Sequence, residues 1–195
     1  MRKIIEKILS ESINVKEEFV LENIEDIIKF ADKIVTAFTN DRKLMLCGNG
    51  GSAADAQHLA AEFVNRFVLE RPPLPAIALT TDTSILTSIG NDYSFDYVFS
   101  KQVKALGMEG DVLLVISTSG NSPNVLAAAK VAKQEGIYVV GFAGCSGGEL
   151  SNLADLPMVV KSDSTARIQE AHILVGHIVC QLVDYMLFQQ GSSDD

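Results

Sequence analysis

The sequence predicts an α/β sandwich: a mostly parallel five-stranded sheet with helices on both faces. Two observations carry this. From Lys43 onward, short apolar runs alternate with segments of helical periodicity, and strands interleaved with helices pair in parallel and bury both faces. Two of these runs also end in glycine- or hydroxyl-rich turns that lead into helices, as strand–turn–helix units do.

Residues 1–40 come first as an N-terminal helical extension. Ile4, Ile5 and Ile8 mark one amphipathic helix, and Phe19, Ile24, Ile27, Ile28, Ala31, Ile34, Val35 and Phe38 mark another. Their apolar stripes need a partner, either the chain's own sheet or a second subunit, and the sequence leaves both open. The α/β core then spans residues 41–188. Its strands are expected at Lys43–Cys47, Ala76–Thr80, Asp111–Ser117, Tyr138–Phe142 and Leu156–Val160. Helices are expected near Ser52–Asn65, Asp96–Ala105, Pro123–Gln134 and Ala166–Leu187. Pro123 suits a first helical turn and Gly136 suits a helix end. Residues 189–195 form a polar tail, expected to fray. With 195 residues, 47% of them hydrophobic, and five prolines, the whole chain is expected to be a single domain.

Composition narrows the function. A net charge of −9 without a long basic run argues against nucleic acid as a partner. The three cysteines, Cys47, Cys145 and Cys180, are widely spaced and form no CxxC, so a reducing cytoplasm is expected. MRKIIEKILSESI carries a charge every few residues, unlike a signal peptide, and the apolar stretch Ala171–Phe188 is interrupted by His172, His177, Gln181 and Asp184. That stretch therefore reads as a core helix, and no membrane association is expected.

Three clusters carry chemistry. In KLMLCGNGGSAADAQHLAAEFVN, Gly48, Gly50 and Gly51 form a turn after a strand, with Ser52 at the expected N-cap of the next helix. Such a turn aims backbone N–H groups and a helix dipole at one spot, which suits a phosphate. His58 and Glu62 follow on that helix at i and i+4, sharing a face as a metal-ligand or acid–base pair would. The second cluster, Ser117-Thr118-Ser119-Gly120-Asn121-Ser122, lies after the strand DVLLVI; four hydroxyls and helix-terminal N–H groups make a phosphate cradle that needs no lysine. Both turns lie at carboxyl ends of strands, where open parallel sheets bind ligands. The third cluster is on the last helix. Gln169 and His177 are eight residues apart, hence ~80° around and ~12 Å along the axis. One small ion reaches both from a single helix only with awkward extension, so a site completed by another subunit is expected. His172 is ~140° around from His177 and is expected to be a plain core or surface histidine. Asn91 and Asp92, in the Gly90–Tyr93 turn, are open to two readings, as turn residues or as sugar-hydroxyl contacts.

CGNGGSAADAQHLAAE, PAIALTTDTSILTSIGNDYSFD, VFSKQV, GDVLLVISTSGNSPNV and ARIQEAHILVGHIVCQLVD occur in an order that resembles the phosphoheptose isomerase (sedoheptulose 7-phosphate isomerase) family of the sugar isomerase, or SIS, fold. The resemblance covers about Lys43 to Asp184. It implies a flavodoxin-like three-layer sandwich with a five-stranded parallel sheet, assembled as a homotetramer with active sites between subunits. It implies a sugar phosphate substrate, converted from sedoheptulose 7-phosphate to D-glycero-D-manno-heptose 7-phosphate through an enediol. That reaction opens nucleotide-activated heptose biosynthesis, for lipopolysaccharide or another glycoconjugate. Asn49, Gly50 and Gly51 match the family's substrate turn, Ser117, Thr118, Ser119 and Ser122 its phosphate cradle, and Asn91 and Asp92 its substrate contacts. His58, Glu62, Gln169 and His177 match its zinc positions, one zinc per subunit; Glu62 and Gln169 also face substrate, and Glu62 and His177 match the base and acid. Ala166 departs from members that carry an aspartate before RIQE. Two alternatives stand beside the isomerase: a non-catalytic SIS-fold protein that binds the replication initiator, and a sugar-phosphate-sensing module. The initiator-binding branch lacks the glutamate and the last histidine, and this chain has both Glu62 and His177.

Overall fold

A computed structural model describes residues 1–189. The polar tail expected to fray lies almost wholly beyond them. Helices α1 (Arg2–Glu22) and α2 (Ile24–Thr39) meet at Asn23, whose side chain donates to the Phe19 carbonyl at 2.8 Å. The question of where their stripes go has a divided answer. α2 buries Ile27, Phe30, Ala31 and Ile34 in the domain's own core, whereas on α1 Ile4, Ile5, Ile8, Leu9 and Ile13 remain 46–67% exposed.

Five strands follow: β1 (Leu44–Gly48), β2 (Ala76–Ala78), β3 (Val112–Ser117), β4 (Tyr138–Gly144) and β5 (Leu156–Val160). They form one sheet in the order β2-β1-β3-β4-β5, and every neighbouring pair is parallel. Helices α3 (Gly51–Val64), α6 (Pro123–Gln134) and α8 (Thr165–Phe188) agree with expectation within a residue or two. The helix expected at Asp96–Ala105 is instead a 3₁₀ turn at Phe95–Tyr97 followed by α5 (Ser100–Leu106). Two helices were not expected: α4 (Thr83–Asp92) and the single turn α7 (Leu150–Leu153). Consequently Asn91 and Asp92 belong to the last turn of α4 rather than to a Gly90–Tyr93 turn.

Alternation along the strands divides the interior into two layers. Leu44, Leu46, Val112, Leu114, Ile116 and Phe142 pack against α2, α3 and α8, while Met45, Cys47, Leu113, Val115 and Val139 pack beneath α5 and α6. Phe30 and Phe142 meet edge to face at 5.9 Å, and burying each side chain contributes on the order of 2 kcal/mol. α8 is long and apolar enough to cross a membrane, but here it is the core helix against which α1, α2 and α3 pack.

Of the two places left open for His172, core or surface, it occupies the core. It is 1% exposed between Phe19 and Phe142, and because a carbonyl only accepts, its Nε2–H donates to the Ala143 carbonyl at 3.0 Å. Burial pushes its pKa from 6.5 down to about 4. The unfolded chain therefore binds a proton that the folded chain refuses between these values, so stability is full above pH 6.5 and falls on acidification toward pH 4. Up to ~3 kcal/mol is at stake. A His172→Phe variant is expected to show a visibly flatter dependence of thermal midpoint on pH across that window than the unsubstituted protein; an identical slope would assign the acid sensitivity elsewhere.

Candidate active site

The strand order reverses between β1 and β3: the chain leaves β1 for the β2 edge and returns on the other side. Ligands bind in the crevice at such a switch point, outside the carboxyl ends of the strands. Gly48 and Ile116 are register partners, so the turns that follow them lie side by side. Between them is a cavity of about 260 Å³ lined by Asn49, Gly50, Gly51, Ser52, Ile116, Ser117, Thr118, Ser122, Thr165 and Gln169.

No lysine or arginine is among those lining residues. The positive potential comes from backbone. α3, α6 and α8 begin at Gly51, Pro123 and Thr165, and the N-cap residues Gly50, Ser122 and Ser164 place no side-chain cap on them. Three uncapped helix N-termini thus surround one cavity, each worth roughly half a positive charge. Gly50, not Ser52, is the N-cap of α3; it takes φ +56°, and Ser52 is buried in the first helical turn. The expected N-cap role of Ser52 is corrected accordingly: the sharp bend at Gly50 starts the helix early. The hydroxyls also do more than cap. Ser117 Oγ lies 2.9 Å from Ser122 Oγ and 3.5 Å from Ser119 Oγ, so Ser117, Ser119 and Ser122 gather at one point. Gly120 holds the bend between them at φ +67°, its α-carbon face pressed on the Gly147 carbonyl.

Two neighbours of the cavity went unrecognised in the sequence. Asn124 and Asn49 exchange reciprocal amide hydrogen bonds of 2.9 Å, tying one ligand turn to the other. Thr165 enters because α8 starts at the cavity rim. Both are ordinary helix-start residues in sequence, so only the fold distinguishes them.

The second half of the site lies further along α3. His58 Nε2 is 2.8 Å from His177 Nε2 and 3.5 Å from a Glu62 carboxylate oxygen, and Phe67 stacks on the His177 ring. Gly176 permits this meeting, since a Cβ there would strike Leu59 of α3 at 2.6 Å. Burial, together with the neighbouring His58, lowers the His177 pKa, against a smaller opposing pull from Glu62. Asp55, one turn before His58, has a carboxylate oxygen buried without a partner, and burial raises its pKa to about 6. Its spacing of three from His58 was the available signal.

Gln169 does not join this cluster within one chain. It packs against Gly51 in the cavity, eight residues and ~12 Å of helix before His177. Asn91 and Asp92 are exposed, bonded to each other at 2.9 Å, and are not among the cavity-lining residues.

A family model for the SIS domain matches residues 9–144. A phosphoheptose isomerase of Nitratidesulfovibrio vulgaris (strain Miyazaki F) is 53% identical over 188 residues, spanning 96% of this chain and 90% of the relative. The chain belongs to the phosphoheptose isomerase family. The Clostridium acetobutylicum phosphoheptose isomerase is likewise 53% identical, over 96% of this chain and 97% of its own. The solved phosphoheptose isomerase of Neisseria gonorrhoeae superimposes with a TM-score of 0.89 at 46% identity, covering 94% of this chain and 98% of that one. The family's three-layer parallel sandwich is therefore the fold found here, and the protein is an isomerase.

Two imidazole nitrogens and a carboxylate are a donor set that suits zinc. His58 Nε2 and His177 Nε2, 2.8 Å apart, stand at hydrogen-bond distance, closer than the ~3.3 Å between two tetrahedral ligands of one zinc, and among the described residues no group of three or more His, Cys, Asp or Glu is already arranged to hold a metal.

Proposed function

We propose that this isomerase converts sedoheptulose 7-phosphate to D-glycero-D-manno-heptose 7-phosphate, with its phosphate in the Ser117–Ser122 cradle and its C1–C2 end toward Glu62, His58 and His177. The observation that carries this is the separation of the two halves of the site. His58 stands seven residues, ~10 Å of helix, beyond Gly51. In a 7-phosphate the carbonyl end is the far end of the molecule, so a phosphate site and an acid–base cluster set well apart on one helix suit it.

The reaction moves one proton between adjacent carbons and one between their oxygens. Glu62 as base takes the C1 proton of the ketose and returns it to C2 of the enediol; His177, held neutral by burial and His58, passes a proton between O1 and O2. Asn49, Gly50 and Gly51 orient the sugar chain, Ser117, Thr118, Ser119 and Ser122 fix the phosphate, and Asn91, Asp92 and Gln169 are proposed to contact substrate. His58, Glu62, Gln169 and His177 would hold one zinc per subunit, which when bound would polarise the substrate oxygens as a Lewis acid.

Completion by a second subunit supports a homotetramer with interfacial sites: Gln169 is remote from His177 in one chain, and the uncovered α1 stripe of Ile4, Ile5, Ile8, Leu9 and Ile13 offers an assembly surface. A reducing cytoplasm is in keeping with three free cysteines. Incubation with sedoheptulose 7-phosphate, followed by NMR of the aldose anomeric proton, tests the activity; no aldose from the folded protein would sink it. Ser119→Ala and Ser122→Ala are expected to raise KM several-fold with kcat little changed, because they grip a group remote from the bond changes. A kcat loss at constant KM would mean the cradle is misassigned.

A further inference from the structure

Arg71 lies between α3 and β2, and its side chain is 1% exposed. Its Nε donates to Asp184 Oδ1 at 2.8 Å, Nη2 to the Glu62 carbonyl at 2.9 Å, and Nη1 to the carbonyls of Phe63 at 2.7 Å, Pro72 at 3.1 Å and Asn65 at 3.3 Å. With every nitrogen engaged and the side chain buried, the guanidinium is committed to protein acceptors rather than offered to a substrate phosphate. Instead it occupies the C-terminus of α3, where the last carbonyls lack helical partners and a cation is favoured. Through Asp184 it is anchored to α8, and the other carboxylate oxygen of Asp184 is buried without a partner. Asp184 follows His177 by seven residues, which places the two on nearly the same side of α8. One guanidinium thus holds the backbone of Glu62 and the helix that carries His177.

We propose that Arg71 and Asp184 are a positioning pair, setting α3 against α8 so that Glu62 and His58 meet His177 in reacting geometry; this rests on that cluster being the catalytic end. Neither residue touches substrate. A planar fork that reaches two helices at once is something lysine cannot reproduce, and breaking the pair leaves a buried carboxylate and several helix-end carbonyls unsatisfied.

The test uses the full chain with Arg71→Lys and Asp184→Asn, and Val139→Ala, in the layer on the opposite sheet face, as a control for general destabilisation. Arg71→Lys is expected to lower kcat by ~10-fold or more, since misplacement by about 1 Å has effects of that order or larger, while KM stays within about twofold. With only three histidines in the chain, their ring ¹⁵N signals give a second readout. Those of His58 and His177 are expected to shift, and that of His172 to stay. Val139→Ala, compared at equal loss of thermal midpoint, is expected to keep kcat. Wild-type kcat in folded Arg71→Lys with unmoved His58 and His177 signals overturns the proposal, as does an equal kcat loss in Val139→Ala. Should Arg71→Lys not fold, Asp184→Asn, which retains an acceptor oxygen, carries the same readouts; if neither folds, the pair serves stability alone and the proposal fails. An inactive wild-type protein would refute the proposed reaction instead, while the ring signals still report on the clamp.

Discussion

Glu62→Gln is expected to lower turnover by ~100-fold or more, a barrier increase of ~3 kcal/mol, with the fold intact. The substitution keeps the side-chain shape and the backbone carbonyl that Arg71 holds, and removes the carboxylate charge and with it the capacity to accept the proton α to the carbonyl. Glu62 is placed for that task on the face it shares with His58, 3.5 Å from the ring nitrogen and beside His177. Steady-state turnover by NMR, with circular dichroism to verify folding, is the measurement. Turnover near that of the unsubstituted protein would remove Glu62 from the role of base.

Gly120→Ala is expected to abolish most phosphate affinity, raising KM by ~10-fold or more. Two penalties coincide there. The backbone is at φ +67°, costing an alanine roughly 1–2 kcal/mol, and the new Cβ would overlap the Gly147 carbonyl oxygen. That oxygen is backbone, locked by the Ser151 amide that donates to it, so the Ser117–Ser122 bend must yield instead. Gly110→Ala provides the comparison, because its φ of +87° is strained too, but the nearest atoms belong to the movable Arg42 side chain on the opposite rim. KM measured on both variants separates the causes: a rise in Gly110→Ala as large as in Gly120→Ala would point to general destabilisation rather than a distorted cradle.

How much of this was legible in the sequence follows from what makes each element stable. β1 and β3 are buried along their whole length, so they read as unbroken apolar runs, and α6 is bracketed by Pro123 and Gly136. α4 escaped because its apolar stripe is short: none of its residues is fully buried, and only Leu86 and Ile89 pack partly buried on the core, while the Asp82 carboxylate accepts from the Ile85 amide to secure its start. At the site, the hydroxyl cradle and the i, i+4 pair on α3 were local patterns and could be read. Spacing alone also separated Gln169 from His177. Arg71 could not be found, since its partner Asp184 lies 113 residues away and nothing local marks either as paired. The reciprocal contact of Asn49 and Asn124, across 75 residues, was hidden for the same reason.

An all-parallel sheet sends every ligand-facing turn to one rim and every return connection to the other. The lower rim, around Asp41, Gly110 and Gly136, is separated from the cradle by the full length of β3, about 20 Å. Nature or an engineer can therefore lengthen those return loops, or graft a tag or a fused module onto them, without crowding the substrate, provided the Lys43 to Asp111 bridge at the foot of β1 and β3 is spared. Chain added to the upper rim has no such freedom.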